Sequence, residues 1–219
     1  MTPDTLEGIA AEIRACTVCA LARTRTQTVP GEAPSGATVV FVGEAPGARE
    51  DAAGRPFLGS SGRLLDALLE GVGMRRAEVA ILNVLKCRPP ENRDPRPAEV
   101  AACMPYLRRQ LDLLRPRVVA TLGRHALAVF APEAQLAAVH GTAMATERTS
   151  IAGGAMLVPL YHPAAALHNG TLRPTLERDM ASLASVARAE HRPTAVGSSL
   201  YETLAATHTG EGRVEREVP

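Results

Sequence analysis

Tryptophan is absent from this 219-residue chain, and aromatic residues make up only 3% of it. The formal net charge is +1 at pH 7, so the chain as a whole does not attract a polyanion. Neither figure excludes a nucleic-acid partner, because a binding face depends on local clustering and not on the sum. Lysine is nearly missing too: Lys86 stands alone, and the other 23 of the 24 basic residues are arginine. No apolar run approaches the roughly 18 residues of a membrane-spanning helix. The start, MTPDTLEGIAAEIRAC, carries acids early and no apolar stretch, unlike a secretory leader. Two phosphate-binding signatures are missing as well, the GxGxxG fingerprint and a glycine-rich loop ending in Gly-Lys-Ser/Thr, which disfavours NAD and nucleoside-triphosphate chemistry.

What is present supports a packed core, with 46% hydrophobic and 21% charged residues. The length suits one α/β domain, with or without a tail. A soluble, cytoplasmic protein is expected. Residues 4–15 carry Leu6, Ile9 and Ile13 at helical spacing. Short apolar runs at 37–42, 79–85, 117–122 and 155–160 read as buried parallel strands. Between them, helical patterns cover about 60–71, 97–114 and 123–130, and a last one covers about 172–189. Ser60 or Ser61 is expected to cap the second helix, and Gly71 or Gly73 to end it. Pro105 is expected to bend or split the third. The fold class is therefore α/β in three layers, a four-stranded parallel sheet flanked by helices. Residues 1–189 form the domain, and 190–219, which lack a sustained period, form a flexible C-terminal tail.

In such a sheet, ligands bind beyond the carboxyl ends of the strands. Three unusual segments fall there: GEAPG after the first strand, NVLKCRPPENR at the second and YHPAAAL after the fourth. Gly43 and its neighbours allow close backbone approach to a ligand, with Glu44 at the mouth of the crevice. Asn83 lies between apolar neighbours at a strand end, where its amide can pair with a base edge. Phe57 sits in a loop, available to stack on a base. His162, fixed by Pro163, is well placed to donate to a developing anion. For each, an ordinary structural role competes with the functional one.

Four cysteines in an intracellular chain point to metal or redox chemistry and away from disulfides. Cys16-x2-Cys19 is followed after 67 residues by Cys87, and after 15 more by Cys103. One CxxC and two dispersed thiols suit an iron–sulfur cluster at least as well as zinc, which usually takes two knuckles.

Together these motifs resemble the family 4, iron–sulfur uracil-DNA glycosylases. The resemblance is carried by the four cysteines and by GEAPGAREDAAGRPFLGSSGRLLD over 43–66. NVLKCRPPENRDP over 83–95 and HPAAAL over 162–167 complete it, so that residues 5–187 are covered. It implies a uracil-DNA glycosylase-like fold and excision of uracil from single- and double-stranded DNA, initiating base excision repair. It further implies a [4Fe–4S] cluster on Cys16, Cys19, Cys87 and Cys103, uracil-containing DNA as partner, free uracil as product, and a monomer. On the same basis Gly43, Glu44, Ala45, Glu50, Phe57, Asn83 and His162 bind the base, with Glu50 crowding C5 against thymine. Glu44, His162 and Asn92 are the implied catalytic residues. Arg49 stands where the family commonly has an acid. The loop 88–96 is short and has no histidine, unlike a branch that links covalently to DNA. The rival readings are a non-catalytic iron–sulfur DNA-binding or polymerase-associated module, and an α/β nucleotide hydrolase with structural zinc.

Overall fold

A computed structural model describes residues 4–148 and 150–189; the expected tail, 190–219, lies outside the described residues. The strands are β1 (Val39–Gly43), β2 (Ala80–Asn83), β3 (Val118–Leu122), β4 (Met144–Ala145) and β5 (Met156–Leu160). They lie in the order β2-β1-β3-β5-β4, and every pairing is parallel except β4 against β5. The four expected strands are thus joined by a fifth at the edge. Its two residues pair only with Leu157 and Met156, too short a ladder to leave a hydrophobic period in the sequence.

The helices are α1 (Leu6–Ala15), α2 (Ala48–Ala53), α3 (Ser60–Gly71), α4 (Pro97–Leu114), α5 (Arg124–Phe130), α6 (Leu136–Val139), α7 (Pro163–His168) and α8 (Arg173–Arg188). Alternate strand residues feed two cores. Val40, Val42, Leu82 and Val119 pack with Leu107 and Leu111 of α4 on one face of the sheet. Phe41, Ile81, Ala120 and Val158 pack with Leu65 and Leu69 of α3 and Leu183 of α8 on the other. Burying one such leucine fully contributes about 1.5–3 kcal/mol.

One local expectation is corrected, and of the two alternatives for Pro105 the split falls away. Gly59, not a serine, occupies the position before α3 and makes no side-chain cap. Its N–H and that of Leu58 are instead taken by Glu50 Oε1, at 2.9 and 2.8 Å. Pro105 lies inside α4 without dividing it, because α4 is held along its length by buried Cys103, Leu107 and Leu111. The chain leaves β1 toward the face of α3 and leaves β3 toward the face of α5. This switch point opens a crevice at the strand ends, where Gly43, Asn83 and Gly123 all lie.

Candidate active site

Asn83 at the end of β2 and residues just beyond β1 and β5 meet at one cavity of about 440 Å³, lined by Ala45, Glu50, Phe57, Asn83, Asn92 and His162 among others. Asn83 is 2% exposed, and its Oδ1 has no hydrogen-bond partner. A buried carbonyl left without a donor costs on the order of 1–3 kcal/mol, so this atom suits a ligand that brings one. Gly43 does not line the cavity but sets its width. A Cβ there would stand 2.4 Å from Asn83 Oδ1 and 2.9 Å from Phe57 Cζ.

Phe57 adopts φ 52°, a left-handed conformation unusual for a bulky residue. Several contacts impose it. Arg76 donates to Pro56 O at 2.7 Å and Phe57 O at 3.2 Å, while Glu50 grips the next two N–H groups. A Cβ on Gly62 would fall 1.8 Å from Phe57 O, so only glycine lets α3 approach the loop this closely. The phenyl ring, 6% exposed, sits with its centroid 5.7 Å from that of His162.

His162 Nδ1 accepts the Ala164 N–H at 3.1 Å, which assigns the ring proton to Nε2. Burial pulls its pKa down to about 4, opposed in smaller measure by Glu50. At neutral pH the ring is therefore an uncharged donor. Asn92, at φ 54° and exposed, has its Oδ1 held by Arg88 Nε at 2.7 Å.

Glu44 is separated from this group. Its side chain lines a second cavity of about 450 Å³ with His125, and Glu44 Oε2 lies 3.9 Å from His125 Nε2. Burial raises the Glu44 pKa, while His125 acts in the opposite direction. Asp94 Oδ2 lies 3.3 Å from His125 Nε2 and 2.9 Å from Arg124 Nη2. Glu44, Asp94 and His125 bring metal-binding atoms within 4.8 Å of one another. Arg124, however, also donates to His125 Nε2 at 3.1 Å and already supplies positive charge there.

The four cysteines are free thiols, Cys87 and Cys103 buried and Cys16 and Cys19 partly so. Burial pushes up the pKa of Cys87 and that of Cys103, the latter to about 11. Cys87 feels the charge of Cys19 and Cys16, as Cys103 feels that of Cys87 and Cys19, so the set occupies one locus. Arg25 Nη1 donates to Cys87 Sγ at 3.3 Å. An all-thiolate donor set with one CxxC and two dispersed cysteines fits an iron–sulfur cluster.

His125 and Arg124 were not anticipated, although they follow directly on a strand end. Lys86 is also unexpected in place: 1% exposed, its pKa pulled by burial to about 7.

The chain with this sheet and this cavity at its switch point matches, over residues 30–182, the family model of the Uracil DNA glycosylase superfamily. The class is therefore that superfamily. The chain is 42% identical over 197 residues to the type-4 uracil-DNA glycosylase of Sulfurisphaera tokodaii, covering 87% of this chain and 89% of that protein. To the type-4 enzymes of Saccharolobus solfataricus and Archaeoglobus fulgidus it is 44% identical, over 80% of this chain and 83% and 90% of theirs. The chain belongs to the type-4 uracil-DNA glycosylase family.

Proposed function

We infer that the protein excises uracil from single- and double-stranded DNA by hydrolysing the N-glycosidic bond, the first step of base excision repair. The observation that carries this reading is that Asn83, whose buried Oδ1 has no hydrogen-bond partner, lines the cavity of about 440 Å³ at the strand ends. Uracil offers a donor at N3 and an acceptor at O4, the complement of an amide. Cytosine reverses both, and a site with buried polar groups rejects such a mismatch strongly.

The base leaves the stack at a cost of a few kcal/mol and enters the cavity. Phe57 stacks on it, Ala45 lines its edge, and Asn83 reads N3 and O4. Glu50 crowds C5 against thymine's methyl and, through Leu58 and Gly59, holds the Phe57 loop. As the C1′–N1 bond breaks, its electron pair leaves with the base, and His162 Nε2–H stabilises the anion at O2. Glu44 faces the neighbouring cavity, so the deoxyribose is assigned to the junction between the two. There its carboxylate stabilises the positive sugar, and with Asn92 it orients the water that adds to C1′. The added water gives up one proton and the uracil anion takes one up, so free uracil is released and an abasic site remains.

One CxxC with two dispersed cysteines, and the type-4 relatives, support a [4Fe–4S] cluster on Cys16, Cys19, Cys87 and Cys103. When bound, it supplies metal–thiolate bonds that tie the end of α1, the loop after β2 and α4 together. No described helix is long and apolar enough to cross a membrane; a cytoplasmic monomer acting on DNA completes the reading. Single-turnover release of free uracil from a uracil oligonucleotide tests it. Activity in the wild-type protein should fall by about 10²-fold or more in Glu44→Ala and in His162→Ala. Full activity in either variant removes the role given to that residue.

A further inference from the structure

Arginine serves every basic position of this chain but one, and the exception is enclosed. Lys86 Nζ donates to the main-chain oxygen of Asn83 and to Gln110 Oε1, both at 2.8 Å. Gln110, itself buried, passes the link on by donating from Nε2 to Pro30 O at 2.9 Å. Two acceptors meet one compact nitrogen here. A guanidinium would bring five N–H groups and leave most of them unsatisfied in a site closed to solvent, so arginine does not fit. The acceptor on Asn83 belongs to the last residue of β2, beyond which two main-chain bonds, Val84 N–H to Gly43 O at 2.9 Å and Leu85 N–H to Glu44 O at 3.0 Å, still tie the chain to the segment leaving β1. The direction of the Asn83 amide depends on how that last residue is held.

We propose that Lys86 is a positioning residue for uracil recognition: its side-chain nitrogen fixes the end of β2 so that the Asn83 amide meets the pyrimidine edge, and Gln110 ties that nitrogen to α4. The bonds involved are donated whether the amine is charged or neutral, so the role is one of geometry. The proposal rests on Asn83 as the base reader. It also joins the reader to the helix that carries Cys103, through one side chain rather than through the sheet.

A double-mutant cycle on the full-length, cluster-loaded protein tests it. Lys86→Met should lower kcat/KM for uracil release by about 10²-fold, the scale of a 1 Å misplacement at a reacting site. In an Asn83→Ala background the same substitution should cost less than about threefold, since no reader remains to be positioned. Equal losses in both backgrounds overturn the proposal and leave Lys86 with a role in folding alone. An active Asn83→Ala protein instead sinks the reading of Asn83, and the proposal with it. Should Lys86→Met not fold, the single lysine offers a second route. Protein carrying 13C at the lysine ε-carbon gives one resonance, which should move on saturation with free uracil in wild type but not in Asn83→Ala. An unmoved resonance in wild type overturns the proposal equally.

Discussion

His162 works as a neutral donor because two neighbours define it: the Ala164 N–H on Nδ1 and the burial that lowers its pKa to about 4. As the pH falls, the unfolded chain protonates this histidine first, near its ordinary value of about 6.5. Its stabilising contribution is therefore intact above that pH and is lost progressively down to about 4. A His162→Phe protein should show a flatter dependence of Tm on pH between about 7 and 4, and an unchanged slope contradicts the buried, uncharged ring. Glu44 must be ionised to face a cationic sugar, and burial raises its pKa while His125 and Arg124 lower it and Asp94 raises it. Replacing His125 by Gln should move the acidic limb of kcat to higher pH; no movement would show that His125 leaves the Glu44 charge alone. At this scale the sequence reveals residue types and little of their direction. Asn83, Phe57 and His162 announce themselves by position at strand ends or in a glycine-rich loop. Nothing in the order of residues shows that Glu44 turns toward His125 or that the single lysine is enclosed, because both follow from packing between segments distant in the chain.

The loop between α2 and α3 is the element on which base stacking depends. Arg76, Glu50 and the missing side chain of Gly62 hold Phe57 in its left-handed conformation. Gly62→Ala places a carbon 1.8 Å from Phe57 O, so the loop must shift. That change should lower kcat/KM by about tenfold or more, with the metal centre retained. Gly71→Ala, at the far end of α3, meets nothing within 4 Å and should be neutral or stabilise by up to about 1 kcal/mol. Like behaviour of the two variants in the uracil-release assay would refute the clamp. The parallel strands were legible because burial on both faces demands unbroken apolar runs. β4 was not, since two residues carry no period. The cap of α3 lies one residue earlier than the serines suggest, at Gly59, because Glu50 of a neighbouring helix fixes the main chain of Leu58 and Gly59 just before the first turn.

Across the whole molecule, a +1 net charge conceals unequal segments. Residues 86–96 carry four basic and two acidic groups, and 105–117 carry four basic and one acidic. Both flank cysteines assigned to the metal centre, and both are suited to grip phosphates. α1 reaches α4 through Arg109, which bridges Asp4 at 2.7 Å and Glu12 at 2.6 Å. Such exposed pairs contribute at most about 1 kcal/mol, so buried Ile9 and Ile13 and the metal centre are left to hold α1. Cys103→Ala should abolish the broad absorbance at about 400 nm expected of the cluster, lower Tm and expose α1 to proteolysis. Stoichiometric zinc in the native protein would overturn the cluster assignment. The dispersed cysteines were legible as a ligand set from spacing, but the burial of Cys87 and Cys103 and the Arg25 bond to Cys87 were not, because both depend on packing between distant segments.

The central claim is that the Asn83 amide, with its buried and unpartnered carbonyl, reads the pyrimidine edge. Asn83→Asp tests it most directly, assayed side by side on uracil- and cytosine-containing single strands for release of the free base. A protonated aspartate can donate to cytosine N3 and accept from its amino group. The account predicts that uracil release falls by about 10²-fold or more while cytosine release becomes measurable. Uracil release at the wild-type rate with no cytosine released would contradict it.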